Sequence, residues 1–133
     1  MSEPLAPHVV VINDEEDLLA LFRELLEGEG YRVSTLTYPT ADLADLQILG
    51  PDLIILDMLF GGEDRGWQFL QHLRLTRATA QLPVIVCTAA VRLVREAQDY
   101  LTDMGIGVIL KPFDIDPFLA EVARRLGRGR NQG

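Results

Sequence analysis

The sequence predicts an α/β domain built on a doubly wound parallel sheet, and three observations lead there. Short β-branched apolar runs alternate five times with longer stretches of helical periodicity. Three of the runs are apolar throughout, as strands covered on both faces are. No repeat or low-complexity segment interrupts the alternation. Right-handed crossovers leave few arrangements of five such units, and an open sheet with helices on both faces is the most economical.

The first strand is the run Val9-Val10-Val11-Ile12. A helix follows, with Leu18, Phe22, Leu25 and Leu26 at helical spacing, the acids Glu15, Glu16 and Asp17 at its positive end, and Gly28 and Gly30 as its stop. Tyr31 to Leu36 alternates like an edge strand, and residues 41 to 49 supply the second helix. Leu53-Ile54-Ile55-Leu56 is the third strand. Gly61, Gly62, Glu63, Asp64, Arg65 and Gly66 read as a polar loop after it, and the third helix covers 66 to 76, with Trp67 and Phe69 packing at its start. Val84-Ile85-Val86 is the fourth strand and 90 to 103 the fourth helix. Gly107 to Leu110 forms a weaker fifth strand. The last helix spans 115 to 126, with Asp114 or Asp116 as its cap and Pro117 in its first turn.

A chain of 133 residues fits one domain, expected over 1–127, with 128–133 as a flexible C-terminal tail. Its composition, 48% hydrophobic and 24% charged, is globular, and no apolar run approaches the roughly 20 residues that cross a bilayer. Met1 to Pro7 shows no secretory signal, so a cytoplasmic location without a membrane partner is expected. The single cysteine, Cys87, sits in an apolar run, reads as a small buried hydrophobe and has no internal disulfide partner. A net charge of −8 argues against direct DNA binding, since phosphate contacts require clustered Lys and Arg. Arg124, Arg125, Arg128 and Arg130 are expected to be cations at a helix C-terminus followed by a frayed end. His8 and His72 have no companions at metal-ligand spacing and are assigned no role.

Open α/β sheets bind ligands beyond the carboxyl ends of their strands. The residues at those ends are Asn13 and Asp14, then Asp57, then Thr88, then Lys111. Carboxylates gathered on one rim repel one another unless one is protonated or a cation intervenes. Without His or Cys the ligand set is all oxygen, which suits Mg²⁺ or Mn²⁺ and disfavours zinc. An Mg²⁺ held by two carboxylates keeps positions for water and phosphate oxygens, which points to phosphoryl chemistry. Lys111 can pair with a phosphate oxygen, Thr88 can donate a hydrogen bond to another, and Asp57 is the natural nucleophile, because carboxylates form aspartyl phosphates.

Four blocks carry a family resemblance: Val9 to Leu18 with Asn13-Asp14-Glu15-Glu16-Asp17, Pro51 to Asp57, Val84 to Ala89 with Thr88, and Leu110-Lys111-Pro112-Phe113. Together, in this order and each closing an expected strand, they resemble the signature blocks of response-regulator receiver domains of two-component signalling, here of the stand-alone single-domain type. The resemblance implies a flavodoxin-like (βα)5 sandwich with strand order 2-1-3-4-5. It implies that Asp57 accepts a phosphoryl group from a phosphohistidine on a sensor histidine kinase or phosphotransfer protein. Mg²⁺ would be bound by Asp14, Asp57, the backbone carbonyl of Leu59 and, through water, Asn13, while Thr88 and Lys111 would bind the phosphoryl group. A cis peptide between Lys111 and Pro112 is also implied. So is a switch protein that is no enzyme beyond its own phosphorylation and dephosphorylation.

The sequence departs from the family at four positions. Asn13 replaces an acid, removing a negative charge but keeping an oxygen for a metal-bound water. Val108 stands where the family tends to carry Tyr or Phe, so the usual aromatic switch is not expected to operate; contacts around Val91, Val94 and Tyr100 are candidates for another. Leu59 and Ala90, at the positions linked to acyl-phosphate lifetime, cannot orient a water, so slow self-dephosphorylation is expected.

Two other readings compete. A pseudo-receiver, a binding module never phosphorylated, is favoured by Asn13 and Val108 and opposed by Asp57, Thr88 and Lys111. A flavin carrier would need a Gly- and hydroxyl-rich phosphate cradle after the first strand, where Asn13 to Asp17 would repel phosphate. With no output module expected after residue 127, the output is expected to be contact with a downstream protein the sequence does not identify. Homodimerisation through the face of the fourth helix, fifth strand and fifth helix stays open.

Overall fold

A computed structural model describes residues 6–37, 43–58 and 65–127; the expected tail and most of the loop after Asp57 lie outside the described residues. Five parallel strands, β1 (His8–Ile12), β2 (Arg32–Leu36), β3 (Leu53–Leu56), β4 (Val84–Thr88) and β5 (Gly107–Leu110), form one sheet in the order β2-β1-β3-β4-β5. The helices are α1 (Glu16–Gly28), α2 (Leu43–Leu49), α3 (Arg65–Leu75), α4 (Val91–Glu96), α5 (Gln98–Asp103) and α6 (Ile115–Arg125). Among the described residues no helix is long and apolar enough to cross a membrane.

The continuous apolar runs follow from a sheet with two dry faces. Val9, Val11, Leu53, Ile55, Ile85 and Cys87 pack with Phe22 of α1 and Phe118 and Val122 of α6. Val10, Ile12, Ile54, Leu56, Val84 and Val86 point the other way, into a second core with α2, α3, α4 and α5. Each fully buried Val, Leu or Ile contributes about 1.5–3 kcal/mol, so the central strands supply much of the driving force.

Strands apolar on both faces specify register poorly, because a one-residue slip exchanges one apolar set for another. A polar clamp at the N-terminal edge supplies what the pattern lacks. The His8 N–H donates to Asp52 Oδ2 at 2.8 Å and the Asp52 N–H to the His8 carbonyl at 2.7 Å. The buried His8 ring also bridges the Leu49 carbonyl at 2.8 Å and Ser34 Oγ at 2.7 Å. The clamp accompanies the pairing of Val9 with Leu53 and of His8 with Arg32. His8 therefore has a structural role that its isolation in the sequence concealed.

Three local expectations need correction. The buried face of α1 is Leu19, Phe22 and Leu26, with Leu18 and Leu25 half-buried beside it, because the helix starts at Glu16 with that stripe toward the sheet. Gly28 is its last residue. The stop itself is Gly30 at φ +91°, with the Gly30 N–H on the Glu27 carbonyl and the Tyr31 N–H on that of Leu26. The helix expected over 90 to 103 is two helices, since Ala97 leaves helical geometry at φ −99°, ψ 10°. The Ala97 N–H still reaches the Leu93 carbonyl and the Leu101 N–H that of Ala97, each four residues back, so helical hydrogen bonding continues across the break. Of the two caps expected for α6, Asp114 takes the position, and its side chain makes no cap hydrogen bond.

Three rings tie α1 to α6 and to the segment after β5. Phe22 stacks on Phe113 at 5.6 Å and meets Phe118 at 5.2 Å, and Phe113 meets Phe118 at 5.1 Å. In the last turns of α6, Glu121 accepts from Arg125 Nε at 2.8 Å and from Arg124 Nη2 at 2.9 Å. This pair lies against β5 so closely that a Cβ on Gly107 would stand 2.5 Å from Glu121 Oε2. Burial alone pushes the Glu121 carboxyl up, but the two guanidinium groups together hold it below its ordinary value. A lowered carboxyl stabilises the fold above the ordinary carboxylate range and loses that contribution as pH falls through its folded value. Glu121→Gln should therefore cost about 1 kcal/mol in urea unfolding at neutral pH, with the difference from the parent protein closing as pH drops below about 4.

Candidate functional site

Parallel register brings the strand ends to one rim. Ile12 is level with Leu56, Leu56 with Val86, and Thr88 with Leu110. Backbone bonds extend that alignment one residue further: the Asn13 N–H donates to the Leu36 carbonyl at 3.0 Å, the Asp57 N–H to the Ile12 carbonyl at 3.3 Å, and the Lys111 N–H to the Thr88 carbonyl at 2.9 Å. Asn13, Asp57 and Thr88 are buried at 2%, 7% and 0% exposure, while Asp14 stands exposed beside them. The Lys111–Pro112 peptide bond is cis.

Lys111 Nζ donates to Asp57 Oδ2 at 2.9 Å and lies 3.7 Å from Glu15 Oε1. Since β4 separates β3 from β5, this lysine reaches across the end of β4 to its partner. Thr88 Oγ1 accepts the Ala90 N–H at 3.2 Å, which orients the hydroxyl and leaves its proton to donate elsewhere. Asn13 Oδ1 accepts the Glu15 N–H at 2.8 Å, closing a turn between β1 and α1. Ala90 is the N-cap residue of α4. Val108 is half-buried against the core that also holds Trp67 and Tyr100, whose rings meet edge to face at 5.2 Å. Leu59, expected to offer a carbonyl to a metal and to bear on phosphate lifetime, lies outside the described residues.

The neighbouring Cys87 is buried, and desolvation, opposed by Lys111 and aided by Asp57, pushes its thiol up to about 12. It stays a protonated core residue at neutral pH. The donors on the rim are carboxylate and amide oxygens, which fit a hard cation. Among the described residues no three His, Cys, Asp or Glu side chains gather as a metal-holding group. A cation here would therefore rest on two carboxylates and complete its shell with amide, backbone and water oxygens, as Mg²⁺ does. The site is a charged rim: a cavity of about 610 Å³, lined by Pro7, Asp52, Arg77, Pro83 and Arg125 among others, lies at the opposite edge of the sheet.

The model of the response regulator receiver domain family matches residues 9–123. The chain belongs to that family. Among curated relatives, the receiver resembles the phosphate regulon transcriptional regulatory protein PhoB of Rhizobium meliloti, 34% identical over 95% of this chain and 55% of the relative. It also resembles the DNA-binding dual master transcriptional regulator RpaA of Synechocystis, at 33% identity over 92% of this chain and 50% of the relative. The chain thus spans about half the length of these relatives. Among solved structures, a CheY-like receiver domain protein from Methanospirillum hungatei superposes with TM-score 0.79 at 19% identity, covering 96% of this chain and 99% of that one. The receiver domain of NtrX from Brucella abortus gives 0.74 at 24% identity, over 90% and 98%. Both likenesses speak to the fold, and the flavodoxin-like order 2-1-3-4-5 agrees with the sequence expectation.

Two residues of the receiver rim escaped sequence reasoning. Glu15 read only as one acid of a helix start, yet its carboxylate comes within 3.7 Å of Lys111 Nζ. Gly66 read as the junction of the loop and the third helix, with no packing role; it lies buried in the first turn of α3, where an added Cβ would fall on the Asp57 carbonyl oxygen. The Trp67 N–H bonds the Met58 carbonyl at 3.2 Å, holding α3 against the residue after Asp57. The only hint in the sequence was a glycine directly before the helical stripe of Trp67, Phe69, Leu70 and Leu73. Because the clash is with backbone, Gly66→Ala should destabilise the domain by about 2–3 kcal/mol, read as a lower thermal midpoint, and should move the amide signals of Asp57 and Met58 in NMR spectra.

Proposed function

We propose that this receiver is a Mg²⁺-dependent phosphoacceptor switch modified on Asp57, acting in the cytoplasm. The observation that supports this most directly is the 2.9 Å bond from Lys111 Nζ to Asp57 Oδ2 at the rim where β4 also ends in Thr88. A carboxylate oxygen of Asp57 attacks the phosphorus of a phosphohistidine on a sensor histidine kinase or phosphotransfer protein. As the new O–P bond forms, the N–P bond breaks and the imidazole leaves with the electron pair. Lys111 then exchanges a carboxylate oxygen for a phosphoryl oxygen, and the Thr88 hydroxyl donates to another. Asp14, Asp57, the Leu59 carbonyl and, through water, Asn13 would hold the Mg²⁺, which supplies neutralising charge at the transferring oxygens.

Ala90 has no side chain able to hold an attacking water, and neither has Leu59, so the acyl phosphate is expected to be long-lived. The receiver turns over no separate substrate in this reading. Its output is a contact with a downstream protein, and with Val108 in place of an aromatic ring the surface change passes through α4 and α5 around Val91, Val94 and Tyr100. One observation favours the pseudo-receiver instead: the Asn13 amide oxygen already accepts the Glu15 N–H.

Incubation with acetyl phosphate and Mg²⁺, followed by intact mass, separates the two. A gain of one phosphoryl group that disappears in Asp57→Asn and on chelation supports the switch. No gain, from acetyl phosphate or from a phosphorylated kinase, supports the pseudo-receiver. Once formed, the phospho-protein should survive for hours at neutral pH with Mg²⁺ present; decay within seconds would contradict the roles given to Leu59 and Ala90.

A further inference from the structure

We infer that Glu15 is a positioning residue of the phosphoacceptor site, holding Lys111 as a second carboxylate beside Asp57 and returning to the rim the negative charge that Asn13 lacks. The inference rests on the phosphoacceptor reading and deepens it. Lys111 is within ion-pair distance of two carboxylates, Asp57 Oδ2 at 2.9 Å and Glu15 Oε1 at 3.7 Å, with its own side chain only 16% exposed. With a divalent cation on the rim, the charges of Asp14 and Asp57 are spent on the metal, and Lys111 leaves one positive charge in excess. Glu15 cancels it.

The chain is arranged to deliver that carboxylate. Asn13 Oδ1 accepts the Glu15 N–H at 2.8 Å, so the neutral residue at 13 fixes the backbone that carries the acid at 15. Glu15 occupies the N-cap position of α1, and its side chain makes no cap hydrogen bond there, which leaves the carboxylate available to Lys111. Its carboxylate turns toward Lys111 instead. The contact Glu15 makes on the rim is with the Lys111 ammonium, so it acts through the lysine and not as a ligand. Loosening Lys111 from Glu15 would leave the ammonium wholly on Asp57, in competition with the metal for the same oxygens.

The ordinary alternative is a surface ion pair of negligible consequence, since the Glu15 side chain is 64% exposed. A four-protein comparison decides: parent, Glu15→Gln, Asn13→Asp and the double variant. Mg²⁺ and Mn²⁺ titrations are followed by fluorescence of Trp67, the sole tryptophan, whose N–H is bonded one residue beyond Asp57. The Mg²⁺ dependence of acetyl phosphate uptake is measured in parallel. Glu15→Gln should weaken metal binding about five- to tenfold, the effect of one charge a few ångströms from a divalent ion near a protein surface. Adding Asn13→Asp should restore it. Unchanged metal binding in Glu15→Gln overturns the inference. So does a loss that Asn13→Asp fails to rescue, because the defect would then be local structure and not charge. If the parent protein neither binds metal nor takes up phosphoryl, the phosphoacceptor reading itself fails, an outcome distinct from both.

Discussion

The contact on which the arrangement depends is the ion pair between Lys111 and Asp57, which links β5 to β3 across the end of the strand between them. Both side chains are largely withdrawn from water, at 16% and 9% exposure, and a charge so placed is costly unless an opposite charge meets it in good geometry. Meeting that condition requires the sheet to hold three strand ends in register to within a fraction of an ångström. The two dry faces provide rigidity, the clamp of His8 and Asp52 at the far edge supplies alignment, and Gly66 lets α3 close against the Asp57 backbone.

The two sides of the sheet are not equivalent supports for this pair. On one, α1 and α6 are long helices joined by the rings of Phe22, Phe113 and Phe118, and Phe113 lies two residues beyond Lys111. The lysine is thus carried by a segment anchored in aromatic packing. On the other side the sheet is covered by α3 and three shorter helices, with Trp67, Tyr100 and Val108 half-buried against the same core.

How much of this could be read from the sequence follows from how local the cause is. Strands with two covered faces announce themselves as unbroken apolar runs, and parallel topology then forces their terminal residues onto one rim, so Asn13, Asp14, Asp57, Thr88 and Lys111 could be gathered without coordinates. What stayed hidden depends on approach distances between elements remote in the chain. Whether Leu18 or Leu19 faces the core turns on a small rotation of α1, and both fit the periodicity. The need for glycine at 66 comes from the carbonyl of residue 57, and the reach of Lys111 to Glu15 from a turn closed by the Asn13 side chain. The end of α4 at Ala97 carries no Gly or Pro to announce it.

That break sets where the domain can give way. Even joined by the hydrogen bonds that cross Ala97, α4 and α5 together only reach the roughly 12 residues at which a helix begins to hold itself in water, so they depend on the side chains they bury, chiefly Val94 and Leu101. Opening there would release Val94 and Leu101 with the half-buried Leu93 and Tyr100, while the aromatic anchor of Lys111 belongs to the core on the other face of the sheet. The fold thus has a soft sector beside a stiff one, with its most easily melted turns starting three residues after Thr88.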